Sequence, residues 1–252
     1  MEVAIHSIAQ AMIADRHRVA VFAPRIKGDS STGIAHDYNV VRYGTSIRGG
    51  ARTCYYHLSL LRKLISMNKT QPIDVIHCHS IDHPGCYVRF ANKFLRLPIV
   101  ATPWGKDIQK LPDIGYGIRL KKGWEKKIIK NLETFTIVTS ISQSVDEDLK
   151  ELVPPTYFRE RVVSIPAGVW LDDFSASVSS IETRERYNIP ADSKVIISVG
   201  RNHVKKGFKY AVEALPSIGQ KIHDVYYVIV GRDTEPLREL ASHLGVRDRL
   251  IL

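Results

Sequence analysis

The chain has 252 residues, 44% of them hydrophobic and 25% charged, with a formal net charge of +10. That composition belongs to a folded soluble protein and excludes a disordered, collagen-like or low-complexity chain. The length exceeds one domain of ~100–150 residues and falls short of two full α/β domains.

In chain order, residues 2–14 carry Val3, Ile5, Ile8, Ala9, Met12 and Ile13 at helical spacing. Residues 18–23 read as a short buried strand stopped by Pro24, and 38–43 as a second strand. Leu58, Leu61, Leu64 and Ile65 predict a helix over 55–66. The run 72–79 is a strand with polar residues at its carboxyl end. A helix over 84–96, a strand over 98–102, a basic helix over 116–133 and a strand over 135–140 follow. Ser144 and Glu147 form a capping box that opens the next helix. One more strand covers 161–166, and the Ser/Asp-rich run 172–180 reads as a linker. After it the pattern restarts: strand 194–200, helix 207–218, strand 225–230, helix 235–244 and strand 249–252. Such alternation implies parallel β-α-β units and a doubly wound sheet.

No apolar run approaches the ~20 residues that span a bilayer. No basic region precedes an apolar one at Met1, so a secretory signal is not expected. Cys54, Cys78 and Cys86 make neither an even disulfide framework nor a C-x-x-C pair, which fits reduced thiols in the cytoplasm. Between Lys106 and Lys130 eight bases face only Asp107, Asp113 and Glu125. A basic excess speaks to partners: nucleic acid, anionic lipid or a phosphorylated small molecule. Nucleic acid ranks last, because no interleaved aromatic platform or reading module is present. Ile118, Trp124, Ile128 and Ile129 among the lysines leave two readings open: a membrane-surface helix, or a helix packed on the sheet with solvated lysines. Asp146-Glu147-Asp148 reads as the acidic first turn of a helix rather than a metal site, and no metal is expected.

The most informative segment runs from Ser198 to Gly207. A strand ends at Gly200, a loop presents Arg201, Lys206 follows five residues later, and Gly207 opens a helix. Loops at the carboxyl ends of parallel strands are where such folds bind ligands. A guanidinium, an ammonium and the free N–H groups of a helix start can clamp a diphosphate. On spacing alone, an anion site and a basic surface loop are both open.

Val199-Gly-Arg-x4-Lys-Gly207 resembles the donor-diphosphate motif of glycosyltransferase family 4. The resemblance runs in order along nearly the whole chain. Met1–Ala9 is similar to the family's first helix, and Asp15–Val21 to its "rGHeV" turn and second strand. Asp74–His79 resembles "DvvHaH", Pro98–Asp107 "iPvV.t.HG.D", and Val138–Leu149 "vi.vSe.v.edL". Ile165–Phe174 resembles the "iPnGvd...F" hinge, and Val228–Gly231 the "l.ivG.G" strand and turn. Single matches are weak; eight in the family's order are strong.

The resemblance implies a GT-B fold: two Rossmann-like, doubly wound parallel-sheet domains facing a cleft. It implies an acceptor-side domain over residues 1–174 and a partial nucleotide-sugar-binding domain over 175–252. It implies sugar transfer from a UDP- or GDP-linked donor to an acceptor hydroxyl with retention, without a cofactor. The acceptor would be a glycan or a lipid-linked molecule in polysaccharide, glycolipid or cell-envelope synthesis, at the inner membrane face. Arg201 and Lys206 would hold the diphosphate, Gly200 would admit it, and Gly231, Arg232 and Asp233 would border the nucleoside. His79, Gly105, Asp107 and Ser142 would lie near sugar and acceptor. For His79 a satisfied strand-end histidine stays open, for Ser142 a helix cap, and for Asp107 a surface pair with Lys106 or Lys110. Trp104 stands where the family usually has histidine, and an indole neither accepts a proton nor offers a lone pair. Ala167 and Trp170 replace the usual hinge residues. The family's Gly-rich first loop would precede Met1 and its glutamate pair would follow Leu252. The sequence therefore reads as truncated at both ends, with no transferase activity expected of it alone. The competing reading is a non-catalytic nucleotide- or anion-binding remnant, or a partner-dependent subunit.

Overall fold

The computed structural model describes residues 2–25, 33–35, 37–44, 51–174 and 179–252. Residues 175–178 of the expected linker lie outside the described residues. The chain divides into two compact units, Met1–Trp170 and Leu171–Leu252.

The first unit opens with α1 (Glu2–Ala14) and β1 (Ala20–Pro24). The short β2 (Gly33–Ala35) and β3 (Tyr38–Tyr43) follow. β1 pairs in parallel with β3 from Ala20↔Asn39 to Pro24↔Tyr43, whereas β2 pairs antiparallel to β3. That antiparallel strand departs from the expected all-parallel alternation; three residues are too few to leave a readable period. Next come α2 (Ala51–Thr70), β4 (Ile76–His79), α3 (His83–Leu95) and β5 (Ile99–Thr102). The unit closes with α4 (Trp124–Thr134), β6 (Ile137–Ser140), α5 (Gln143–Leu152), α6 (Pro155–Arg161) and β7 (Val162–Ser164). Strands β4, β5, β6 and β7 form a parallel sheet in chain order. β1 and β4 each end a sheet, so among the described residues the strands of this unit fall in two sheets where the motif pattern suggests one.

One core joins this second sheet to its helices. Ile99 and Val138 of the strands meet Ile128, Leu132 and Leu149 of α4 and α5, all at 0% exposure. Burying each such side chain is worth roughly 1.5–3 kcal/mol. Ile128 and Leu132 are one helical turn apart, so the apolar stripe of the basic helix is spent on the core. Lys121, Lys122, Lys126, Lys127 and Lys130 remain exposed.

That basic helix starts eight residues later than its periodicity predicts. Short 3-10 turns at Pro112–Ile114 and Ile118–Leu120 precede it. The cause is glycine. Gly115, Gly117 and Gly123 have φ of +61°, +116° and +79°, values that end a right-handed helix. Two further differences concern helix starts. α6 begins on Pro155, a residue suited to a first helical turn, in a stretch with too few residues to show a period. The cap of α5 is Ser142, whose hydroxyl accepts from the Val145 N–H, and not Ser144; Glu147 instead receives a bond from Gln143.

The second unit contains a 3-10 turn (Leu171–Phe174), α7 (Ser180–Arg186), β8 (Lys194–Val199), α8 (Phe208–Lys221), β9 (Val225–Val230), α9 (Glu235–His243) and β10 (Leu250–Ile251). α7, not expected from the sequence, is opened by the Ser179 side chain accepting from the Glu182 N–H. β8, β9 and β10 pair in parallel in the order β10-β9-β8. Tyr227 and Ile229 of β9 pack with Val212 and Leu215 of α8 and Ala241 of α9. β8 is an edge strand whose Ile197 and Val199 are 62% and 72% exposed.

Candidate functional site

In the first unit the motif residues gather at the carboxyl ends of neighbouring strands β4, β5 and β6. Register places His79 beside Thr102, and β6 ends at Ser140, two residues before Ser142. Parallel pairing therefore brings together residues up to 63 positions apart in the sequence, His79 and Ser142 being the extremes.

Asp107 organises the turn after β5. It is 4% exposed and paired with neither Lys106 nor Lys110, which removes the surface-pair reading. One carboxylate oxygen accepts from the Ile81 N–H at 2.8 Å and the other from the Trp104 N–H at 2.9 Å. It thus ties the turn after β4 to the turn after β5. Burial pushes its carboxyl above the usual range, against the pull of those backbone N–H groups. Gly105, at φ +107°, makes the reversal, and its carbonyl accepts from the N–H groups of Ile108 and Gln109. Arg119 anchors the rest of this segment. Its side chain is 4% exposed, within 3.1 Å of Glu125, 2.9 Å of Glu151 and 4.0 Å of Asp148, and it donates to the Ile108 carbonyl.

The His79 ring lies against that of His77, with centroids 4.0 Å apart, and 6.1 Å from the Trp104 ring. His77 Nε2 shares a hydrogen with Thr102 Oγ1 at 2.7 Å, and Thr102 touches the Thr139 hydroxyl. Burial lowers both imidazoles, and His77 adds to the effect on His79, whose pKa falls from 6.5 to about 3. Both rings are therefore neutral at pH 7. Among the described residues, His79 Nδ1 and Trp104 Nε1 are buried polar atoms without a hydrogen-bond partner. Native proteins rarely leave such atoms unpaired, and exceptions cluster at working sites. Here they offer an indole N–H donor and a neutral imidazole nitrogen. Ser142 is exposed and caps α5, so its hydroxyl already serves that helix.

In the second unit the loop after β8 carries Arg201 and Lys206, both exposed and neither paired with a carboxylate among the described residues. Residues Val204–Lys206 form a 3-10 turn, and Gly207, at φ +68°, turns the chain into α8. Lys206 thus precedes an uncapped helix start in the same loop as Arg201, and cations together with free helix N–H groups attract anions. Gly231 sits where two loops approach closely. A Cβ there would overlap the Gly200 carbonyl, so this glycine lets the loops after β8 and β9 touch. Three bonds join those loops: Gly200 N–H to Val230 O at 2.9 Å, Asn202 N–H to Arg232 O at 2.8 Å, and Asn202 Nδ2 to Asp233 O at 3.0 Å. Arg232 and Asp233 therefore stand beside Arg201.

Sequence reasoning passes over His77, Arg119 and Asn202 as site components. Arg119 is hidden among seven other bases of its stretch. Asn202 carries a weak signal: Asp233 occupies the second glycine position of the "G.G" pattern and needs help to turn. No group of three or more metal-ligand side chains exists among the described residues. No described helix is long and apolar enough to cross a membrane.

Residues 1–173 match the family model described as Glycosyltransferase Family 4, and residues 179–252 the one described as Glycosyl transferases group 1. An uncharacterized glycosyltransferase of Methanocaldococcus jannaschii is 25% identical over 195 residues, which are 76% of this chain and 49% of that relative. The chain thus spans about half the length of this relative. Sucrose-phosphate synthase of Thermosynechococcus elongatus matches with a TM-score of 0.74 at 15% identity, over 98% of this chain and 63% of that one. Anabaena HepE in complex with UDP matches with a TM-score of 0.62 at 17% identity, over 86% of this chain and 56% of that one.

Proposed function

The chain belongs to glycosyltransferase family 4 and has its α/β GT-B fold, and from this premise we propose that it serves sugar transfer from a nucleotide-sugar to an acceptor hydroxyl with retention. In this reading the second unit binds a UDP- or GDP-linked hexose donor and the first handles sugar and acceptor. The acceptor is a glycan or lipid-linked molecule of polysaccharide, glycolipid or cell-envelope synthesis. The observation that carries the reading is the pair of exposed cations Arg201 and Lys206 in the loop that leads into α8, neither paired with a carboxylate among the described residues.

Departure of a nucleoside diphosphate leaves negative charge on the phosphate oxygens. Arg201 and Lys206 offset that charge as it grows, with the N–H groups of the α8 start. The acceptor hydroxyl attacks the face from which the diphosphate leaves, and a departing oxygen takes its proton. No protein nucleophile is required. His79, neutral at pH 7, orients a hydroxyl rather than balancing charge. Trp104 supplies one N–H where the family's histidine would offer a second nitrogen. Asp107 works through the backbone, holding Trp104 and Ile81 in place. Gly200 and Gly231 keep the two donor loops in contact, with Arg232 and Asp233 toward the nucleoside.

HepE was solved with UDP, which makes UDP and GDP the first probes here. Titration calorimetry of the chain before and after the double substitution Arg201→Ala/Lys206→Ala tests the assignment. Charge-assisted bonds of about 1.5–3 kcal/mol each predict a loss of roughly hundredfold or more. Unchanged affinity would remove the donor site from this loop.

A second proposal concerns the exposed lysines at 121, 122, 126, 127 and 130. They favour contact with an anionic membrane on its cytoplasmic face. With Ile128 and Leu132 buried, that contact is electrostatic and salt-sensitive, about 1 kcal/mol per lysine near the surface.

A further inference from the structure

Asp233 is not glycine, yet its backbone stands at φ +62°. Aspartate adopts that conformation more readily than most L-residues but still at a cost that glycine does not carry, and a tertiary bond offsets it. The group that reaches it is Asn202, whose Nδ2 donates to the Asp233 carbonyl at 3.0 Å. The backbone N–H of the same residue donates to the Arg232 carbonyl at 2.8 Å. One residue therefore binds two successive carbonyls of the facing turn. The bond to the Arg232 carbonyl belongs to the main chain and survives any substitution except proline. The bond to the Asp233 carbonyl depends on the amide: aspartate would set oxygen against oxygen, and alanine has nothing to donate.

We propose that Asn202 is a positioning residue of the donor site, which clamps the Arg232–Asp233 turn in its left-handed form against the Arg201 loop. The proposal rests on the donor-site reading above, and touches neither diphosphate nor sugar directly. Its physical content is a coupling between two residues. Asn202 matters because Asp233 resists the turn. Glycine at 233 adopts the same backbone without a steric penalty, so the clamp becomes dispensable.

The experiment is a double-mutant cycle on the whole chain with two readouts. The first is amide hydrogen exchange at residues 231–234. Asn202→Ala should speed exchange there and leave the α2 and α4 amides unchanged. Adding Asn202→Ala to the Asp233→Gly background should change little. The second readout is UDP and GDP affinity by calorimetry. Loss of one neutral bond predicts roughly fivefold weaker binding from Asn202→Ala, and under about twofold in the Asp233→Gly background. Unaltered exchange in Asn202→Ala, or equal losses in both backgrounds, overturns the clamp. Altered exchange in a chain that binds neither nucleotide instead overturns the donor-site reading and the positioning role that depends on it.

Discussion

Acidification should destabilise the first unit through His79. Its pKa is about 3 in the folded chain against 6.5 for an ordinary histidine. Between those values the unfolded chain binds a proton that the folded chain refuses, so stability rises with pH across the window. The contribution is fully present above about 6.5 and is lost as pH falls toward about 3. At pH 5 the unfolded imidazole lies roughly 1.5 pH units below its midpoint. At ~1.36 kcal/mol per unit, that is about 2 kcal/mol. His77, also lowered by burial, adds loss of the same sign, whereas Asp107, raised by burial, gains stability on acidification. The His79→Gln variant isolates one contribution, because the others remain in both proteins. Urea unfolding at pH 7.5 and pH 5.0, followed by tryptophan fluorescence, reports this unit, since Trp104, Trp124 and Trp170 all lie in it. The wild type should lose about 2 kcal/mol more than His79→Gln between the two pH values. Identical losses would refute the reasoning, and would mean that the imidazole titrates freely in the folded state.

Other expectations follow from single contacts. Arg119→Leu should destabilise the first unit by about 1–3 kcal/mol, because the Ile108 carbonyl and the Glu125, Asp148 and Glu151 carboxylates lose their shared donor while Glu125 and Glu151 stay open to solvent; Arg119→Lys should not restore the loss, since an ammonium cannot replace the fork. Urea midpoints of the three proteins check this. Gly231→Ala should force the loops after β8 and β9 apart, cost about 1–3 kcal/mol in thermal unfolding of the second unit and, on the proposed donor-site reading, weaken UDP or GDP binding in the same titration. Reversing the charge of Lys121, Lys122, Lys126 and Lys127 should abolish flotation with vesicles containing anionic lipid, and high salt should do the same to the wild type; equal flotation of both proteins would exclude the membrane contact.

Much of the fold was legible because local burial leaves a periodic trace. β3 at Tyr38–Tyr43 and β9 at Val225–Val230 coincide with their sequence patterns residue for residue. The motifs around Asp107, Arg201 and Gly231 were legible for another reason: each sits in a short turn whose residue types are restricted. Where the reading went astray, local signals competed. Apolar residues from Ile118 onward mimic a helix, but Gly117 and Gly123 impose backbone angles that a helix cannot contain. Ser142 and Ser144 both suit a cap, and only the end of β6 at Ser140 selects the first.

The sequence by itself determined the family, the alternation of strands and helices, and which residue types crowd the strand ends. Tertiary structure alone decided what those residues do to one another. Asp107 reaches an amide 26 positions away, Asn202 a carbonyl 31 positions away, and His79 resists protonation below its ordinary pKa only when β4, β5 and their turns enclose it. The physical reason is range. Backbone preference and hydrophobic period act over a few neighbours and are written in the order of residues. Hydrogen bonds, desolvation and steric contact act through space, and exist only once parallel strands have set distant turns side by side.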